Sequence, residues 1–161
     1  MRYQVRQKIF SFRDSYTIKD ECGVDRYLVS GEVFSFGHKL RIEDMNGSEI
    51  VYIQQKIFSF MPEYNIYFKG QMVATVKKEF TFFTPKFYIE SSMGNYVMEG
   101  EIFSHEFEIL KNGNSVASIS KEWFAFSDSY GADISDSENQ PFMLALVIVI
   151  DSVLYDNKDN N

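Results

Sequence analysis

The sequence predicts a mainly β fold, a closed antiparallel barrel of twelve strands around a central hydrophobic helix, and three observations predict it. A six-residue phrase, Gln-Lys-Ile-Phe-Ser-Phe, is written identically at residues 7–12 and 55–60, with looser copies elsewhere. Residues suited to tight reversals recur between the copies, as in Asn46-Gly47 and Asn112-Gly113-Asn114. One uninterrupted apolar run, residues 142–150, stands near the C-terminus. A recurring phrase marks a recurring structural unit, so the repeat sets the architecture before any single residue is interpreted.

Composition agrees with a β-rich single domain. The chain has 161 residues, 16 of them Phe and 10 Tyr, an aromatic share of 17% that suits pleated surfaces. A chain of this length buries a sizeable core without disulfides, and the single Cys22 has no internal partner to pair with. The polar stretch Arg2-Tyr3-Gln4-Val5-Arg6 after Met1 lacks a secretory apolar core, so the expected location is cytoplasmic. A net charge of −7 speaks against general nucleic-acid binding, which draws its affinity from neutralised phosphates.

Each copy of the phrase reads as the first strand of a hairpin. Ile9-Phe10-Ser11-Phe12 leads to Tyr16-Thr17-Ile18, and Val33-Phe34-Ser35-Phe36 leads through Gly37-His38 to Leu40-Arg41-Ile42. Ile57-Phe58-Ser59-Phe60 leads to Tyr64-Asn65-Ile66, and Phe80-Thr81-Phe82 leads to Phe87-Tyr88-Ile89. Ile102-Phe103-Ser104-His105 leads to Phe107-Glu108-Ile109, and Trp123-Phe124-Ala125-Phe126 leads to Tyr130. Between hairpins, Cys22-Gly23, Asn46-Gly47, Lys69-Gly70, Gly94-Asn95 and Asn112-Gly113 offer the positive φ that two-residue reversals demand. Gly31-Glu32-Val33-Phe34-Ser35 returns as Gly100-Glu101-Ile102-Phe103-Ser104, which suggests two pseudo-repeats of three hairpins. The strands occupy about 2–135 of one domain.

Closure removes the two exposed edges that an open twelve-stranded meander would leave. Because about eight strands already enclose a lumen that side chains just fill, twelve require an occupant. The run at 142–150 is apolar all round and is entered through Pro141, which suits the first turn of a helix. A helix over about 141–155 spans roughly 22 Å, comparable with the height of the barrel, and leaves 156–161 as a polar tail. The β-branched stretch Val147-Ile148-Val149-Ile150 also suits a buried strand, and the unfilled lumen favours the helix. Asp151 ends the run well short of the 20 residues a membrane span needs, so no transmembrane segment is expected.

The Lys-Ile-Phe-Ser-Phe phrases, residues 31–37 (Gly-Glu-Val-Phe-Ser-Phe-Gly), residues 77–83 (Lys-Lys-Glu-Phe-Thr-Phe-Phe) and the tail at 144–151 resemble the LURP-one-related family, in particular its short bacterial members. The resemblance implies kinship with tubby C-terminal domains and phospholipid scramblases, and a twelve-stranded barrel around a C-terminal helix. It implies little about activity. Tubby domains hold phosphoinositide headgroups with a Lys-x-Arg pair on a strand, and Lys39-Leu40-Arg41 has that spacing. Alternation puts both charges on one strand face, where they suit one phosphate.

Lys39 and Arg41 are therefore the candidate anion or lipid-headgroup site, with Arg2, Arg6 and Lys8, on one face of the first strand, as contributors. Like charges along a strand also discourage unwanted pairing. His38 and His105, in equivalent bends, read as solvated turn residues, because no further His or Cys stands at metal-ligand spacing. No cofactor, metal or catalytic constellation is expected: the chain lacks a nucleophile elbow, a phosphate loop and a His-Glu-x-x-His motif. The expected function is a non-enzymatic binding module for an anionic membrane surface or a protein partner. A lipid-handling protein of scramblase type and a structural adaptor are the alternatives.

Overall fold

In the computed structural model the twelve strands are β1 (Arg2–Arg6), β2 (Ser15–Asp20), β3 (Asp25–Phe34), β4 (Gly37–Asp44), β5 (Glu49–Gln55), β6 (Glu63–Phe68), β7 (Gln71–Glu79), β8 (Lys86–Ser91), β9 (Tyr96–Glu101), β10 (Glu106–Lys111), β11 (Asn114–Ser120) and β12 (Ser129–Ile134). A single α-helix, α1 (Gln140–Asp159), follows them. The structure describes residues 1–6, 15–34, 37–79, 81–82, 84–123 and 129–159, the side chains of 33, 34 and 154–159 excepted.

Each strand pairs antiparallel with its neighbours in sequence, and β1 closes the ring on β12 through the rungs Arg2↔Asp133 to Arg6↔Ser129. Between β1 and β2, Tyr3↔Asp20 and Gln4↔Lys19 are in register among the described residues. Period-two alternation builds the interior: on β4, Leu40 and Ile42 are buried while Lys39 and Arg41 face outward. The same rule sends Ile18, Val29, Ile53, Ile66, Val76, Ile89, Met98 and Ile109 into the lumen from their strands.

The lumen is filled by α1. Phe142 through Ile150 are each 1% exposed or less, which is why this run can be apolar on every side. Asn139 caps the helix, its Oδ1 accepting from the Phe142 amide at 3.0 Å while its carbonyl accepts from Met143 at 3.0 Å. Phe142 packs edge-on against Phe68 and beside Tyr96, with ring centroids 6.2 and 5.7 Å apart. The strand alternative for 147–150 is thereby excluded, and the helix runs on to Asp159, past the 155 suggested by the sequence.

The aromatic phrases sit differently from the expectation. β5 ends at Gln55 and β6 begins at Glu63, so Ile57-Phe58-Ser59-Phe60 forms the link between strands instead of a strand. Ile102–Ser104 is a 3₁₀ turn, closed by His105 in the left-handed region. Thr81 and Phe82 lie between β7 and β8. The physical reason is where the ladder stops. Lys56 N donates to the Glu63 carbonyl at 2.8 Å as a last rung, and beyond it the chain reverses through Phe58, whose φ is 67. An alternating aromatic pattern satisfies the strand template equally well in such a link, which is how periodicity misleads. The copies at 7–12, 35–36 and 124–126 lie outside the described residues.

Candidate functional site

In an up-and-down meander, the links that follow odd-numbered strands share one mouth of the barrel and those that follow even-numbered strands share the other. The phrase-bearing links after β5, β7 and β9 therefore fringe the same mouth. Their large side chains point into solvent: Phe58 is 99% exposed, Phe60 96%, Phe82 86% and Phe103 59%. Single exposed apolar residues need no explanation, but a group of phenylalanines gathered at one end does. Cations stand among them. Arg6 ends β1, Lys39 lies near the start of β4, Lys56 follows β5, Lys77 lies near the end of β7, and Lys86 opens β8.

The predicted cations divide in this geometry. Lys39 and Arg41 do share the outer face of β4, and Arg2 and Arg6 share that of β1. Arg41 is already held by two carboxylates, Glu32 at 2.5 Å and Glu49 at 3.2 Å, and its guanidinium lies 5.8 Å from the centre of the Tyr52 ring. The hydrogen bond to Glu32 raises its already high pKa. Arg2, at the opposite end of β1 from Arg6, bonds Asp133 at 3.0 Å and lies 4.7 Å from the centre of the Trp123 ring. Arg6 borders a cleft of about 460 Å³ over the β1–β2 seam, lined also by Gln4, Ser15, Thr17 and Lys19. Lys8 lies outside the described residues.

Beneath the aromatic mouth is a buried polar cluster that sequence reasoning missed. Asp151, on the last wholly buried turn of α1, accepts a hydrogen bond from Tyr130 Oη at 2.6 Å and lies 2.7 Å from His105 Nε2. The His105 ring stacks on Tyr130 with centroids 4.6 Å apart. His105 is 1% exposed, so the expectation of a solvated turn histidine is corrected: the left-handed turn folds its ring inward onto Asp151 of the helix. His38, its counterpart by repeat, lies on β4 and is half-buried. Burial, with the nearby Asp151 charge, holds the phenols of Tyr130 and Tyr16 well above their ordinary pKa. Tyr130 therefore stays protonated and donates. One signal was available: an Asp ending a run of buried positions must find donors, because an unpaired buried charge is costly.

This cluster ties the helix to the wall and is closed to solvent. Among the described residues no group of His, Cys, Asp and Glu is arranged to hold a metal ion. Cys22 is exposed in the turn after β2. Among the described residues, too, no helix is long and apolar enough to cross a membrane.

Comparison with known proteins places the chain. The family model described as LURP-one-related matches residues 1–151. The chain is 36% identical over 157 residues to an uncharacterized protein of Bacillus subtilis (strain 168), YxjI, covering 98% of this chain and 96% of that one. No solved structure gives a significant match. The barrel with its central helix, read together with a family match that spans nearly the whole chain, makes this protein a member of the LURP-one-related family.

Proposed function

We propose that the protein is a non-catalytic binding module that meets anionic phospholipid headgroups, from the cytoplasmic side, with the aromatic mouth of its barrel. One observation carries the reading: among the described residues the larger part of the acidic excess behind the net charge of −7 stands at the other mouth. Asp20, Glu21, Asp25, Glu43, Asp44, Glu49, Glu90, Asp133, Asp136 and Glu138 stand at that far end, against Arg2, Lys19, Arg26, Lys69 and Lys111. At the aromatic mouth, Arg6, Lys39, Lys56, Lys77, Lys78, Lys86 and Lys121 face a comparable set of acids, Glu32, Glu63, Glu79, Glu99, Glu101, Glu106, Glu122 and Asp151, and the last turns of α1 add Asp156, Lys158 and Asp159.

A molecule polarised this way orients in the field of an anionic surface with its acidic end turned away, whatever its net charge. Within the sequence-derived set, Lys39 and Arg6 belong to this reading by their place at the aromatic mouth, whereas Arg2 stands at the other mouth and Arg41 is held in the wall by Glu32 and Glu49. The kinship with tubby domains that the family resemblance implies accords with it.

The test is flotation of the full chain with neutral and anionic vesicles at low and high salt, beside a Lys39→Glu/Lys56→Glu variant. Binding that needs anionic lipid, weakens with salt and is lost in the variant supports the reading. Anionic-vesicle binding unchanged in the variant removes the electrostatic assignment.

A further inference from the structure

We infer that Phe58, Phe60, Phe82 and Phe103 are membrane-inserting side chains, which seat the aromatic mouth of the barrel in the interfacial layer of a lipid bilayer with the barrel axis upright. The inference rests on the surface reading above and goes beyond it by naming the bilayer itself, not free headgroups, as the partner.

Three features on one end of the molecule carry it. The first is exposure. Side chains that are 99%, 96%, 86% and 59% exposed surrender most of their apolar surface to water, and burial of a phenylalanine is worth enough to bind.

The second is arrangement. The four come from three separate links, after β5, β7 and β9, at the mouth where α1 ends. A folded protein partner calls for a continuous packed patch with a desolvated centre. A fluid interface accepts wedges carried on separate links at any spacing and makes no such demand.

The third is chemistry of neighbours. Lys56, paired with Glu63 at 3.1 Å, precedes Phe58 by two residues, and Lys77 and Lys86, the latter paired with Glu99 at 3.0 Å, flank the link that carries Phe82; each pair lies partly exposed, where a phosphate competes for the ammonium. Aromatic rings below and ammonium groups at phosphate depth is the layout of an interfacial anchor, with apolar groups sinking roughly 5–10 Å. The acidic far mouth then lies on the side away from the lipid.

The test uses the full chain carrying Phe60→Trp in a Trp123→Phe background, so that the only tryptophan reports on the mouth. It is mixed with vesicles of phosphatidylcholine and phosphatidylglycerol whose acyl chains are brominated, at low and high salt. The inference predicts a blue-shifted emission quenched by the bromine, with part of the binding surviving high salt. Phe58→Ser/Phe60→Ser should lower vesicle partitioning on the order of a hundredfold. Its thermal unfolding should be unchanged, because both positions are almost fully exposed.

Salt-sensitive binding with tryptophan at 60 still in water overturns insertion and leaves the electrostatic reading standing. Insertion that survives Lys39→Glu/Lys56→Glu does the reverse. Absence of vesicle binding overturns insertion outright, as does a dimer in sedimentation that the Phe58→Ser/Phe60→Ser variant dissolves, since a second copy would then be what covers the mouth.

Discussion

Replacing Asp151 by Leu tests the buried cluster most sharply, because it removes a charge without opening a large void. The Asp151 carboxylate is within hydrogen-bond distance of Tyr130 Oη at 2.6 Å and His105 Nε2 at 2.7 Å, and both partner residues are 1% exposed or less. Without the acceptor, two buried polar groups lose their partner at about 1–3 kcal/mol each. Relief from desolvating the carboxylate offsets part of this, so the net loss is about 2–4 kcal/mol. For a chain of this size that is a fall in melting temperature of roughly 4–16 °C.

Tyr130→Phe alone should cost about 1.5–3 kcal/mol, the range for a hydrogen bond to a charged group. In Asp151→Leu/Tyr130→Phe the orphaned hydroxyl is gone, so the double variant should be less destabilised than the sum of the singles by about 1–3 kcal/mol. Equilibrium denaturation in urea measures all three, with an unchanged slope required for the comparison. A neutral Asp151→Leu, or strict additivity, would refute the claim that this acid ties the helix to the wall through Tyr130.

Other outcomes follow from the wall of the barrel. Gly100→Ala should destabilise markedly, by about 2 kcal/mol or more, because φ there is +128 and a Cβ would stand 2.9 Å from the Glu106 carbonyl oxygen and the Phe107 Cα. Gly47→Ala, at φ +82 with nothing within 4 Å, should cost only the left-handed penalty of about 1 kcal/mol, and thermal melts of the pair check the contrast. Asp20 accepts from the Val24 and Cys22 amides and from Arg26, and these bonds lower its pKa below the ordinary carboxylate value. Its stabilising contribution is therefore complete above that ordinary value of 3.8 and drains as pH falls through the lowered one. Asp20→Asn should flatten the acid side of the stability profile in that window, and an unaltered profile would contradict the assignment.

What the sequence disclosed, and what it withheld, follows from locality. The helix was legible because nine consecutive positions from Phe142 to Ile150 are apolar and only a filled lumen buries such a run on all sides. Turns at Gly47, Gly70 and Gly113 were legible because each takes positive φ, which its neighbours in sequence advertise. Barrel closure came from counting strands. The strand ends were misread, since Phe58 and Phe103 satisfy an alternating pattern that does not know where the ladder stops. The cluster of His105, Tyr130 and Asp151 was hidden because its members come from a turn, a strand and the helix, 21 and 46 residues apart along the chain. The exposure of the phenylalanines was hidden for the same reason: composition counts aromatic residues but does not say which face solvent.

The most direct test of the central claim, that this barrel meets a bilayer with its aromatic mouth, is hydrogen–deuterium exchange of the full chain with and without anionic vesicles. Protection confined to the links at 56–62, 81–85 and 102–105, with the turns at 21–24, 45–48 and 112–113 unchanged, is the predicted result. Protection on the opposite turns, or none at the aromatic links while the protein is vesicle-bound, would contradict it.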